Sequence, residues 1–101
     1  MSLTIDTRLA DTTAALTLTG RLDTSTAPEL ESQLETLLPT ITALTFDLAG
    51  LEYISSAGLR MILKAQKAMT PKGGMKLIHV PESVQEVLDI TGFTDFLTIE
   101  D

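Results

Sequence analysis

Cysteine and tryptophan are absent from the 101 residues, and histidine occurs once. Without cysteine there is no disulfide, no thiol chemistry and no cysteine-ligated zinc. A single histidine excludes a His-rich metal site and a paired-histidine mechanism within one chain. Aromatic residues make up 4% of the chain, too few for the stacking platform that single-stranded nucleic acid requires. Basic residues are scarce as well: seven Lys and Arg stand against fourteen Asp and Glu, for a net charge of -7. That balance argues against direct contact with nucleic acid, which needs clustered cations to displace counterions. It argues equally against docking on anionic lipid. No apolar run approaches the length of a membrane span. The first residues, Met1 to Asp6, have neither a basic start nor an apolar segment, so they are not a secretion signal and predict a cytoplasmic protein.

Hydrophobic residues make up 44% and charged residues 21%, the composition of an ordinary folded domain. The length allows one such domain, residues 1–101. Leu3, Ile5 and Leu9 fall on one parity, then Ala14, Leu16 and Leu18 on another, which predicts an antiparallel hairpin turning at Asp11-Thr12. Gly20 is expected to close its second strand. Thr26-Ala27-Pro28-Glu29 fits a capping box opening a helix through Leu30, Leu34, Leu37 and Leu38, with Pro39 as its stop. Residues 42–48 read as a buried strand and Gly50 as the turn out of it. A second helix is predicted from Ser55-Ser56 to the breakers at 70–74, then a strand over 75–80. A third helix is expected over 81–90, with Ser83 and Glu86 at capping-box spacing and Gly92 as its C-terminal cap; a short strand over 96–99 follows. The order β-β-α-β-α-β-α-β implies a mixed, mostly parallel α/β sheet opened by one hairpin, with the helices packed on it.

The segment from Asp47 to Arg60 carries the candidate chemistry. A buried strand ends, a short loop follows, and two serines sit where a helix begins. Loops after the carboxyl ends of strands are the usual place for a site in open α/β sheets. A serine there can cap the helix, its hydroxyl satisfying an orphan amide. It can also accept a phosphoryl group, because the free amides and the dipole of a helix N-terminus favour an anion. Position alone favours the cap. Asp23 and Asp47 lie near Ser56 if the strands bring them to one sheet end; otherwise Asp23 caps a turn and Asp47 ends a strand. Arg60, Lys64 and Lys67 share one helical face, either a solvated face or a surface for an acidic partner. His79 has no acidic partner in sequence and is expected to be structural or exposed. Gly73-Gly74 reads as a turn, since no phosphate-cradle motif follows. No Gly-x-Ser-x-Gly elbow surrounds Ser56, which leaves a hydrolase reading weak.

Tyr53-Ile54-Ser55-Ser56-Ala57-Gly58-Leu59, preceded by Phe46-Asp47-Leu48, resembles the phosphorylation loop of STAS-domain proteins, specifically the anti-sigma factor antagonists. Gly20-Arg21-Leu22-Asp23 and Val87 to Phe93 resemble two further segments of that family, in the same order along nearly the whole chain. The resemblance implies a single STAS domain that is not an enzyme and needs no cofactor or metal. It implies a phosphoacceptor at Ser56, two residues before the Gly-Leu pair. Many members carry Asp immediately before the acceptor, where this chain has Ser55, which makes Ser55 the fallback acceptor. Asp23, Asp47, Ser55, Ala57, Gly58, Leu59 and Arg60 are expected to shape the acceptor loop and the partner face. The implied partners are an anti-sigma factor with serine kinase activity, bound by the unphosphorylated form so that a sigma factor is freed, and a serine phosphatase that resets the switch. The alternative within the same fold is an unphosphorylated scaffold or regulatory subunit of a transporter or stress-signalling assembly.

Overall fold

Apolar residues at every second position, separated by threonines, favour extended backbone with one buried and one wetted face. The computed structural model describes residues 3–100 and bears this out. Met1, Ser2 and Asp101 lie outside the described residues, including the start of the segment read above as lacking a secretion signal. Strand β1 (Leu3–Ala10) and strand β2 (Thr13–Leu22) form the antiparallel hairpin, with Ala10 paired to Thr13. Asp11 takes the left-handed backbone at its turn (φ 56°), a conformation that Asp tolerates. The elements that follow are α1 (Ala27–Leu37), β3 (Ala43–Ile54), α2 (Ser56–Met69), β4 (Met75–Ile78), α3 (Glu82–Thr91) and β5 (Ile99–Glu100), with one-turn 3-10 helices at 38–40 and 93–95.

The strands lie in the sheet in their order along the chain, β1-β2-β3-β4-β5, and every pairing after the first is parallel. Crossovers that all step the same way, with the usual right hand, place their helices on one face. Burial agrees with this. Leu16 and Leu18 of β2, Leu44, Phe46 and Leu48 of β3, and Met75 and Leu77 of β4 share a cluster with Leu30 and Leu34 of α1, Ile62 and Ala65 of α2, and Val84 and Leu88 of α3. Phe46, Leu16 and Leu18 have no accessible surface, and burying a side chain of that size stabilises the fold by roughly 1.5–3 kcal/mol. The alternate residues of the same strands, among them Ala15, Thr17, Thr45 and Lys76, stay partly accessible on the face without helices.

Several expected boundaries move. Gly50 does not end β3: the strand runs on to Ile54, its register against β2 slipping between Thr17 and Thr19 and again between Gly20 and Arg21. Such slips bend a strand without ending it. Gly20 likewise lies inside β2, in a positive-φ conformation (109°) that glycine adopts without penalty. Strand β4 stops at Ile78, because His79 turns into the left-handed region (φ 54°). Neither capping box forms. Helix α1 has no side-chain cap at Thr26, and α3 starts behind Pro81, also without one. The last strand is shorter and later than expected, since residues 93–95 coil and leave Phe96 largely exposed. Gly92 does cap α3, in the left-handed conformation (φ 79°).

Candidate functional site at the start of the second helix

Strands β2 and β3 end level, with Leu22 opposite Ile54. The chain leaves both at the same end of the sheet, and the Leu22 backbone forms the floor of the site. Its carbonyl accepts a hydrogen bond from the Ser55 amide at 2.9 Å. A side-chain carbon added at Gly58 would lie 2.9 Å from that carbonyl and 2.6 Å from the Leu22 Cγ. Glycine at position 58 is therefore required by close approach of α2 to β2.

The two serines divide two roles. Ser55 has extended backbone (φ -98°, ψ 174°), and its Oγ accepts a hydrogen bond from the Gly58 amide at 3.3 Å, which makes it the N-cap of α2. Ser56 is the first helical residue, is exposed, and makes no side-chain hydrogen bond among the described residues. Its hydroxyl stands free at the positive end of a helix of 14 residues.

Asp23, one residue past Leu22, organises the neighbouring turn. Its Oδ1 accepts from the Ser25 hydroxyl (2.8 Å), the Ser25 amide (3.0 Å) and the Thr26 amide (3.1 Å). The Ser25 hydroxyl bond is the main reason the Asp23 carboxyl is held below its usual value; partial burial opposes it and the amides add to it. Thr26 is buried (3% accessible) and points backward, its Oγ1 donating to the Arg21 carbonyl at 2.8 Å and accepting from the Asp23 amide at 2.9 Å. This is why the capping box fails: the Thr26 hydroxyl is already committed to the preceding turn. Arg21 completes the group, its guanidinium 4.3 Å from the centre of the Tyr53 ring and its Nε 3.8 Å from Asp23 Oδ2. The Arg21–Tyr53 stack was not foreseen, because it depends on the register that sets those two residues opposite each other.

The remaining expected residues separate. Gly58 and Leu59 are buried, so they hold the turn and present no side chain to a partner; Ala57 is half-buried and Arg60 exposed. Asp47 neither ends its strand nor joins the Asp23 group. Its Oδ1 accepts from the Ala49 amide (3.1 Å) and meets His79 Nδ1 at 3.1 Å. Six residues of β3 lie between it and Ile54, a path of roughly 23 Å at about 3.3 Å per residue step. His79 thus has an acidic partner that its sequence neighbours do not supply. Among the described residues no cluster of three or more acidic or histidine side chains is placed to hold a metal ion.

This fold, with a serine-capped helix behind the second parallel strand, defines the class. The sequence matches the family described as "Mlab, STAS domain" over residues 5–99, and the chain belongs to the STAS-domain family. An anti-sigma-B factor antagonist of Staphylococcus epidermidis is 31% identical, with all of this chain and 95% of that protein aligned. An anti-sigma factor antagonist from Mycobacterium paratuberculosis superposes with a TM-score of 0.87 at 20% identity, over 96% of this chain and 84% of the other. The Bacillus cell fate determinant SpoIIAA in its phosphorylated form superposes with a TM-score of 0.74 at 15% identity, over 98% and 91%.

Proposed function

We propose that this STAS domain is an anti-sigma factor antagonist whose binding is switched by phosphorylation of Ser56. The observation that carries this reading is the free, exposed hydroxyl of Ser56 beside a Ser55 hydroxyl already spent on capping. A kinase can modify Ser56 without dismantling the helix, whereas modifying Ser55 would remove the cap. The family relatives named anti-sigma factor antagonists support the partner class, and a SpoIIAA structure in phosphorylated form supports a modified state of this fold. The unphosphorylated protein binds an anti-sigma factor that is also its serine kinase, and so frees a sigma factor; a serine phosphatase reverses the modification. In this scheme the chain is a substrate and not a catalyst.

The physical logic lies at the interface and not in the fold. A phosphoryl group adds about -1.5 to -2 charge. At the first turn of α2 that charge meets the positive end of the helix dipole and is tolerated. Pressed against a matched protein surface, it must shed its water without a partner and blocks docking. Site-localised mass spectrometry of protein from its own cells, combined with binding of the purified anti-sigma kinase, tests this. Ser56→Ala keeps binding and takes up no phosphate, and Ser56→Glu weakens binding by about tenfold or more. Phosphate on neither serine under any growth condition, with Ser56→Glu binding like wild type, would instead establish the constitutive scaffold.

A further inference from the structure

Five of the seven basic residues lie between positions 60 and 76. Three of them are engaged within the fold: Lys64 pairs with Glu31, Lys76 with Glu100, and Lys72 donates to the carbonyls of Leu38 and Ile41. Arg60 and Lys67 have no ion-pair partner among the described residues, and both are exposed. They stand on α2, whose 14 residues include no acid. At about 100° per residue, Ser56, Arg60, Leu63, Lys67 and Thr70 fall within an arc of about 80°, along roughly 20 Å of helix. One stripe therefore links the free serine at the start of α2 to whatever lies at its end.

At that end is an apolar groove of about 330 Å³, with Leu63 and Lys67 of α2 and its C-cap Thr70 on one wall and Phe93 and Phe96 on the other. Phe96 is 69% exposed, a large apolar surface for a domain this small to leave in water. The cation at the rim of this groove sits on a chain of net charge -7. An acidic segment approaching elsewhere meets a net negative surface, whereas here, among the described residues, it meets the Lys and Arg side chains that have no ion-pair partner.

We propose that this stripe and groove form a docking strip for an acidic segment of a partner protein, one that seats an apolar side chain between Leu63 and the Phe93–Phe96 wall and sets carboxylates against Lys67 and Arg60. The proposal rests on the reading of Ser56 as the switch and extends it, placing the anchor of the same partner at the far end of α2. Phosphate on Ser56 then acts at one end of a strip whose affinity is held largely at the other.

The test is calorimetric titration of the full, unphosphorylated chain with the purified anti-sigma kinase that modifies Ser56. The variants are Lys67→Glu and Phe96→Ser, with Arg8→Glu on β1 as a control that changes the net charge of the whole molecule equally. Melting curves confirm folding of all three, whose sites are exposed. The expected result is a rise in Kd of about tenfold or more for Lys67→Glu and for Phe96→Ser, with Arg8→Glu within about twofold of wild type. Wild-type binding also weakens with added salt, and Lys67→Glu loses part of that dependence. If Lys67→Glu and Phe96→Ser bind like the control while Ser56→Ala still binds and resists the kinase, the docking strip is wrong and the switch stands. If the wild-type chain binds no such kinase, both readings fall.

Discussion

Ser55 and Ser56 carry the same hydroxyl in adjacent positions, and the backbone alone gives them different roles. The extended conformation of Ser55 turns its oxygen toward the Gly58 amide; the helical conformation of Ser56 turns its oxygen to water. Ser55→Ala should therefore cost about 1 kcal/mol of stability. Ser56→Ala should stay within about 0.5 kcal/mol of wild type, as exposed substitutions do. Urea denaturation of the two variants checks this, and equal losses would remove the distinction between a capping hydroxyl and a free one. The sequence shows that a serine caps this helix, because Ser55-Ser56 precede Ala-Gly-Leu after an apolar strand. It does not show which one, since both offer the same side chain within one residue of the boundary. Asp47 was illegible for a different reason. Its partner, His79, lies 32 positions away, and only the pairing of Asp47 with Ile78 across β3 and β4 brings the two together.

At the scale of elements, their type and order were readable from periodicity, and their ends were not. Thr26-x-x-Glu29 and Ser83-x-x-Glu86 have the spacing of capping boxes, yet tertiary bonds won in the first case and an extended Pro81 took the cap position in the second. Gly50 reads as a turn, but the slipped β2–β3 register absorbs it within a long strand. Two aspartates tie elements together instead. Asp23 organises the turn before α1, and Asp89 of α3 accepts from the Thr94 hydroxyl at 2.6 Å and the Gln85 amide at 2.9 Å, joining the helix to the coil behind it. The Thr94 bond, then the Gln85 bond, hold the Asp89 carboxyl below its usual value against partial desolvation. Because both folded-state values are lowered, the unfolded chain takes up protons first as the pH falls. The contribution of these groups is complete above the unfolded-state value of about 3.9 and is lost as the pH drops through the lower folded values. The double variant Asp23→Asn, Asp89→Asn should be less stable at pH 7 and show a shallower loss of stability between about pH 5 and 3. Urea midpoints across that range measure it. An unchanged acid limb would mean that other carboxylates set it.

At the scale of the whole molecule, the sheet has one covered face, one partly accessible face and unequal edges. The β5 edge is two residues long, whereas β1 offers eight, with Leu9 61% exposed near its end. Long free edges invite pairing with another chain, and a net charge of -7 opposes it. Near the isoelectric point of about 4.5 that repulsion disappears. Light scattering should show association rising as the pH approaches that value. Leu9→Lys, compared at its own isoelectric point, should associate less by placing a charge on the edge; equal association would clear β1 of the contact. The strand order has a consequence for synthesis. Each strand lies beside the one made just before it, so no strand has to be inserted between two that are already paired. As the ribosome extrudes the chain, the N-terminal hairpin is complete first, and every later helix–strand unit can lay itself on the newest edge. The serine that starts α2 thus emerges after the two strands it stands on, and the surface that would present it to a kinase can form while the last third of the protein is still being made.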